Sequence, residues 1–395
     1  MSSDASNLVS DPTFRAIADK VSSGQILAHE DGLTLYESGD IHSIGRLANI
    51  VRRRLHGTNV YYNRNRHINY TNVCALSCKF CSFYRKRGEE GAYEMSIEQV
   101  VAAAKEAADA GATEVHIVGG LHPWLKFDYY LEMLRGIRAA CPALHIKAFT
   151  AIEIIHFTRI ARLSIEEVLL GLREAGLGSL PGGGAEIFDD RVHDEVFKGK
   201  VRADKWFAVH RAAHRLGIPS NATMLYGHVE SPAERITHLI KLRELQAESL
   251  AARDGNPIAA GFNCMLPLSF APEQSELGHL PGPTGLTDLK TLAISRLMLH
   301  NIAHIKAFWI MQGIGLSQLA LDYGCDDIDG TVVWYDITKR SEGGGTHQEM
   351  HVREIRRLIC EAGYTPVERD TVYRRIERDA ATDRVLKPSA ISPVA

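Results

Sequence analysis

Between residues 68 and 333 the chain repeats one pattern: a short run of strand-forming residues, then a longer stretch with apolar residues at helical spacing. The strand-like runs are 68–72, 114–118, 145–149, 178–180, 221–225, 259–265, 304–309 and 329–333. Helical patterns fill the intervals at 96–110, 129–140, 164–175, 203–216, 232–247, 286–301 and 316–323. Ser96 with Gln99, and Ser164 with Glu167, have capping-box spacing, and Gly111, Gly176 and Gly217 sit where helix C-caps belong. Eight such units in one run predict an α/β fold, a closed parallel (βα)8 barrel of the TIM type. An open doubly wound sheet would carry a Gly-rich turn after its first strand, where this chain has cysteines.

Phe14, Ile17, Ala18 and Val21 recur at helical spacing, and a second helix is expected over 41–54. The chain thus divides into an N-terminal helical extension (1–60), the barrel (61–340) and a C-terminal helix and tail (341–395). In the last region a Gly-rich loop at 341–346 precedes a helix at 352–362 and an extended tail at 366–373. With 45% hydrophobic and 24% charged residues, the chain has enough apolar material for a large core. Lys+Arg 45 against Asp+Glu 48 gives a net charge of -3, so nothing points to a nucleic-acid partner. No apolar run approaches the roughly 20 residues of a membrane span. Met1 to Ser10 are polar and lack the apolar stretch of a secretory signal. A cytoplasmic protein without a membrane partner is expected.

The seven cysteines are an odd number and describe no disulfide framework. Cys141, Cys264, Cys325 and Cys360 are scattered and read as small buried hydrophobes. Cys74, Cys78 and Cys81 form a C-x3-C-x2-C cluster directly after the first strand. Three thiolates on one short loop converge on one face of a cube and leave one corner without a protein ligand. Structural zinc asks for four ligands, and the upstream His67 is poorly placed to be the fourth. An iron–sulfur carrier without catalysis would usually bring a fourth cysteine. The spacing, with the aromatic Phe80 just before the last cysteine, points to a [4Fe–4S] cluster with one open iron.

Strand alternation places Asn221, Thr223 and Leu225 on one face of the fifth strand, and His67, Asn69 and Thr71 on one face of the first. Barrel interiors are normally filled by Val, Ile and Leu, so this polarity suggests a ligand-filled barrel top. The string His-Ile-Lys-Ala-Phe occurs twice, at 145 and 304, in the third and seventh strands. Half-barrel duplication and coincidence both fit that repeat.

The cysteine loop after a first barrel strand resembles the radical S-adenosylmethionine superfamily. The resemblance implies that the open iron chelates the amino and carboxylate groups of S-adenosylmethionine. Reduction of the cluster would then split the sulfonium into methionine and a 5′-deoxyadenosyl radical. It places Phe80 against the adenine region and Gly119-Gly120 where the superfamily's GGE motif meets the methionine amino group through backbone carbonyls. This chain continues Leu121-His122 and so lacks the motif's acid. The resemblance also assigns Tyr84, Ser179, Glu186 and Asn221 to the cofactor, with Gly182-Gly183-Gly184 allowing close backbone approach.

More narrowly, Asn69-Tyr70-Thr71-Asn72-Val73-Cys74 and the segment 221–230 resemble the group holding menaquinone-pathway enzymes and deazaflavin (F0) synthase halves. Segments 114–123, 145–151 and 179–186 are most similar to the aminofutalosine synthases. That likeness implies addition of the 5′-deoxyadenosyl radical to the vinyl carbon of 3-[(1-carboxyvinyl)oxy]benzoate. Aryl migration and decarboxylation would then give 6-amino-6-deoxyfutalosine and bicarbonate in menaquinone biosynthesis. A one-electron reductant such as flavodoxin or ferredoxin is implied. A small-molecule substrate with two carboxylates asks for cations or donors, for which His116, His122, Lys147, His228 and Arg85 are candidates. Lys147, His116 and His228 are the expected catalytic residues. Lys147 also fits a structural ion pair with a neighbouring Glu, and His228 with Glu230 also fits a helix cap. Dehypoxanthine futalosine cyclase and an F0 synthase subunit share the cysteine loop and remain alternatives.

Overall fold

The computed structural model describes residues 12–332 and 348–386. Its strands are β1 (Asn59–Asn63), β2 (Asn65–Ile68), β3 (Glu114–Ile117), β4 (His145–Ala148), β5 (Ser220–Tyr226), β6 (Phe262–Ser269), β7 (His304–Ile305), β8 (Asp327–Gly330) and β9 (Thr365–Glu368). The helices before the cysteine loop are α1 (Pro12–Ser22), α2 (His29–Glu37) and α3 (Ile41–His56). Those that follow are α4 (Ile97–Asp109), α5 (Phe127–Ala140), α6 (Ala151–Ala161), α7 (Ile165–Ala175), α8 (Asp190–Val196), α9 (Ala203–Arg215), α10 (Pro232–Ala251), α11 (Gly285–Met298), α12 (Trp309–Gln312), α13 (Ile314–Ala320) and α14 (Val352–Glu361).

Every ladder is parallel, in three groups: β2–β3–β4, β5–β6–β7 and β8–β1–β9. Single parallel bridges join the groups. Lys147 to Ser179 and Leu180 to Ser220 connect β4 with β5, and Lys306 to Asp327 connects β7 with β8. The expected strand at 178–180 is thus reduced to two bridging residues. Among the described residues no ladder joins β8 to β2. At that seam the Thr331 hydroxyl donates to the Asn65 carbonyl at 2.9 Å and accepts from its N–H at 3.0 Å. The Thr331 N–H donates to the Asn63 carbonyl at 3.2 Å. The architecture is mixed helix and parallel strand.

The first strand differs from expectation. Pairing with β3 ends at Ile68, and the polar residues after it serve the following loop. The Asn69 amide donates to the Val118 carbonyl (3.0 Å), the Thr71 hydroxyl to the Tyr93 carbonyl (2.7 Å) and the Asn72 amide to the Gly91 carbonyl (2.8 Å). Asn69 and Thr71 therefore fix the cysteine loop's surroundings instead of facing a barrel interior with His67. β1 lies ahead of it, across the 60/61 boundary, and pairs with both β8 and β9. The expected strand at 304–309 stops at Ile305, before the short helix α12.

Helices agree more closely, because caps fix their ends. Ser96 and Ser164 make the expected capping boxes, and two further ones open α6 (Thr150, Glu153) and α10 (Ser231, Glu234). The N-terminal helices pack outside the strands, α3 on α11 and α2 on α10 and α11. Phe14, Leu35, Ile44 and Leu47 are fully buried there. Cys141, Cys264 and Cys325 are buried as expected, whereas Cys360 is exposed near the end of α14. The expected loop at 341–346 lies outside the described residues. No helix among them is long and apolar enough to cross a membrane.

Candidate active site

The cysteine loop follows β2 and is held from four directions. The Cys74 N–H donates to the Arg85 carbonyl (3.0 Å) and the Ala75 N–H to that of Leu121 (2.9 Å). The Lys79 N–H donates to the Val196 carbonyl (3.0 Å), and the Glu276 N–H to the Lys79 carbonyl (2.9 Å). The Lys86 ammonium bridges the carbonyls of Cys74 (3.1 Å) and Leu76 (2.8 Å). The Cys74 sulfur accepts from the N–H groups of Leu76 and Leu121, both at 3.4 Å. Arg85 spends its guanidinium on the carbonyls of Ser82 and Tyr84, which makes it a loop brace.

This loop forms one wall of a cavity of about 230 Å³. Cys74, Cys78 and Cys81 line it together with Phe80 and Tyr84. Gly119 and Gly120 enter from the end of β3, and Glu186 and Lys200 from the segments after 180. Gly120 is required by proximity: a Cβ there would stand 2.3 Å from the Val73 carbonyl oxygen. Both glycine N–H groups are committed, Gly119 to Glu153 Oε1 (3.1 Å) and Gly120 to the Thr71 carbonyl (2.9 Å). No hydrogen bond among the described residues reaches either glycine carbonyl, so both remain available to a cationic ligand group.

The donor set fits a cluster. The one group of His, Cys, Asp or Glu ligand atoms all within 4.8 Å of one another, among the described residues, is His56, His304 and Asp326. The three cysteine sulfurs are set wider than that. A single tetrahedral zinc at about 2.3 Å from each sulfur would draw them to about 4 Å. Burial pushes the Cys78 thiol up to about 11, against the pull of Lys200, and raises Cys81 as well. Metal binding therefore has to displace these protons.

Sequence reasoning missed Glu153, fully buried and lining this cavity. Its carboxylate accepts from the Tyr70 hydroxyl (2.8 Å), the Thr150 N–H (2.7 Å), the Thr150 hydroxyl (2.8 Å) and Gly119. Burial outweighs these bonds and raises its pKa to about 7. The signal was the Thr-x-x-Glu spacing at 150. Lys200 was missed too; it pairs with Glu186 and lies 5.0 Å above the Phe80 ring. Phe-Lys-Gly-Lys at 197 gave no hint of it.

A second cavity of about 100 Å³ shares Val118, Thr150, Gly183 and Leu268 with the first. His67, His116, Lys147, Asn221 and Thr223 face it, as do two residues the sequence reading passed over, Lys306 and Asp329. Lys147 pairs with Glu114 at 2.5 Å and Lys306 with Asp329 at 2.6 Å. Burial favours the neutral form of Glu114, but Lys147, Lys306 and Arg369 hold it well below the usual carboxylate range. Burial drops His67 to about 4 and takes His116 well below its ordinary value, so both are neutral at physiological pH. They offer hydrogen bonds, not charge.

Besides Arg85, three expected residues line neither cavity. The His228 side chain is fully buried, with Nδ1 3.2 Å from Glu230 and Nε2 3.2 Å from the Leu225 carbonyl. Glu230 also takes the N–H groups of Gly227 (2.6 Å) and His228 (2.9 Å), and Arg235. The unit organises the turn into α10. Ser179 shares a 2.9 Å hydrogen bond with His145 at the base of the bridge region. His122 accepts from the N–H groups of Trp124 (3.3 Å) and Leu125 (3.1 Å) through Nδ1 and turns Nε2 to Glu94 (2.8 Å). It is a turn residue.

The cysteine loop, the glycine pair and the parallel strands define a radical S-adenosylmethionine enzyme, and the chain belongs to that superfamily, whose profile matches residues 68–242. The profile of the CofH/MqnC C-terminal region matches residues 259–381. The chain is 44% identical to the aminodeoxyfutalosine synthase of Thermus thermophilus over 93% of this chain and 97% of the relative. It is 42% identical to that of Streptomyces coelicolor over 95% and 97%. It is 39% identical to the 5-amino-6-(D-ribitylamino)uracil–L-tyrosine 4-hydroxyphenyl transferase of Methanopyrus kandleri over 86% and 90%. Among solved structures, methylornithine synthase (PylB) shares the fold at a TM-score of 0.68 and 20% identity, covering 88% of this chain and 96% of that one. The hydrogenase maturase HydG of Carboxydothermus hydrogenoformans does so at 0.67 and 16%, covering 91% and 80%.

Proposed function

We propose that the chain is an aminodeoxyfutalosine synthase. It would join S-adenosylmethionine, 3-[(1-carboxyvinyl)oxy]benzoate and water to give 6-amino-6-deoxyfutalosine, methionine and bicarbonate, in menaquinone biosynthesis. The observation carrying this reading is 44% identity across 93% of the chain to a relative of that name. The three cysteines would hold a [4Fe–4S] cluster, and a flavodoxin or ferredoxin would reduce it. When bound, the cluster and S-adenosylmethionine supply a 5′-deoxyadenosyl radical. The chain's residues position and exclude. The Gly119 and Gly120 carbonyls would receive the methionine ammonium, with Glu153 fixing the strand end through the Gly119 N–H. Phe80 and Tyr84 would border the adenine side, and Glu186, locked by Lys200, the ribose. Lys147 with His116 and Asn221 would hold the substrate below, near attack distance of about 3–3.5 Å. Val118 and Leu268, shared by both cavities, would shield the reacting carbon from water.

A second reading, tyrosine transfer to a ribityl uracil, is favoured by 39% identity to a relative so named and by the match to the CofH/MqnC C-terminal region. Mass spectrometry of an anaerobic reaction separates the two. An adenine-retaining adduct from the enol ether supports the first. Stoichiometric free 5′-deoxyadenosine without adduct, or turnover only with tyrosine and the uracil, rejects it.

A further inference from the structure

We infer that Lys306, acting with Lys147, forms a two-ammonium receptor for a single carboxylate at the floor of the chamber. Its ligand would be the carboxylate of an unsaturated or aromatic ring; this rests on the reaction proposed above. The two lysines come from the two copies of His-Ile-Lys-Ala-Phe, one on β4 and one just after β7, and both line the smaller cavity. An ammonium carries three N–H donors. Among the described residues each lysine spends one donor on a protein acceptor, Lys147 on Glu114 and Lys306 on Asp329. Both side chains are almost fully buried, where unfilled donors are costly.

The rest of the wall agrees. Asn221 is 6% exposed, and its side-chain amide forms no hydrogen bond among the described residues. Glu114 and Asp329 each balance one ammonium, and His67 and His116 are neutral, so an incoming carboxylate is held by the spare N–H donors of the two lysines and the Asn221 amide. Phe308, Leu266 and Pro181 complete the lining and give a flat carbon skeleton an apolar surface.

The test titrates anaerobically reconstituted holoenzyme with benzoate and with benzamide by calorimetry. Wild type, Lys306→Met and Lys306→Met/Asp329→Asn are compared; the double variant keeps the charge balanced if the single one fails to fold. Wild type should prefer benzoate by about tenfold or more, since the amide forfeits charge-assisted bonds. Both variants should lose that preference while keeping the visible absorption of the cluster. With the enol ether, KM should rise about tenfold with little change in kcat. Lack of a benzoate preference in wild type, or its survival in the double variant, overturns the inference. L-Tyrosine against L-tyrosinamide forms a second arm. A Lys306-dependent preference there instead of for benzoate overturns the arene carboxylate as ligand. Adduct formation is scored separately. Adduct with Lys306-independent benzoate binding overturns this inference alone, and Lys306-dependent binding without adduct supports the receptor while rejecting the reaction.

Discussion

Three thiols and one carboxyl carry the sharpest consequences of single side chains. Cys78→Ala, like the same change at 74 or 81, is expected to abolish assembly of the cluster, read as lost iron and lost visible absorption. Cys360→Ala, on the exposed face of α14, should retain about four irons per chain. Glu153 gives a pH signature. Its folded pKa of about 7 lies above the ordinary 4.5, so the stability it contributes is fully present below about 4.5 and is lost as pH rises through 7. Compared with Glu153→Gln, wild type should lose about 3 kcal/mol across that window and level off above it. Thermal unfolding of both proteins from pH 5 to 8 checks this, and parallel curves would refute it. The cysteines were legible because spacing alone fixes how three ligands converge. Glu153 was not, because a capping glutamate and a site glutamate share one sequence signature, and only the fold brings it onto Gly119. His228 misled for the opposite reason: a histidine beside a glycine after a strand reads as a site residue, yet Glu230 and Arg235 absorb it into a turn.

Where β3 ends, the backbone of Gly120 touches that of Val73. Gly120→Ala would place its methyl 2.3 Å from a carbonyl oxygen, backbone that cannot swing aside. The strand end and the cysteine loop would have to part, at a cost of about 1–3 kcal/mol. Loss of S-adenosylmethionine binding with unchanged far-ultraviolet circular dichroism is expected. Gly255→Ala, with nothing within 4 Å of the added carbon, should behave as wild type. Helices were legible at this scale because periodicity and caps are local. Strands were less so. The first slipped by several residues because Asn69, Thr71 and Asn72 look like an alternating strand while their side chains bind the 91–93 and 118 backbones. The bridge at 179–180 shows the same limit, since pairing depends on neighbours far along the chain.

Across the whole molecule, the N-terminal helices are part of the core's outer wall. Phe14 on α1, Leu35 on α2 and Ile44 and Leu47 on α3 are wholly buried, each worth about 1.5–3 kcal/mol. A chain starting at residue 40 loses the first two and strips cover from α10 and α11. It should melt several degrees lower or aggregate, as differential scanning calorimetry would report. The parallel architecture was legible from the alternation and β9 as an extended tail, whereas β1 and the pairing of the two were not, because each is short and finds its partner more than two hundred residues away. The same long reach governs the cysteine loop, whose Lys79 is gripped by Val196 on one side and Glu276 on the other. On the ribosome, the last of the three cysteines emerges well before Glu276 does. At about 5–20 residues per second that gap lasts about 10–40 s, during which the ligands exist but the frame that sets them does not. A cluster held by these thiols would therefore have to be delivered to the finished chain.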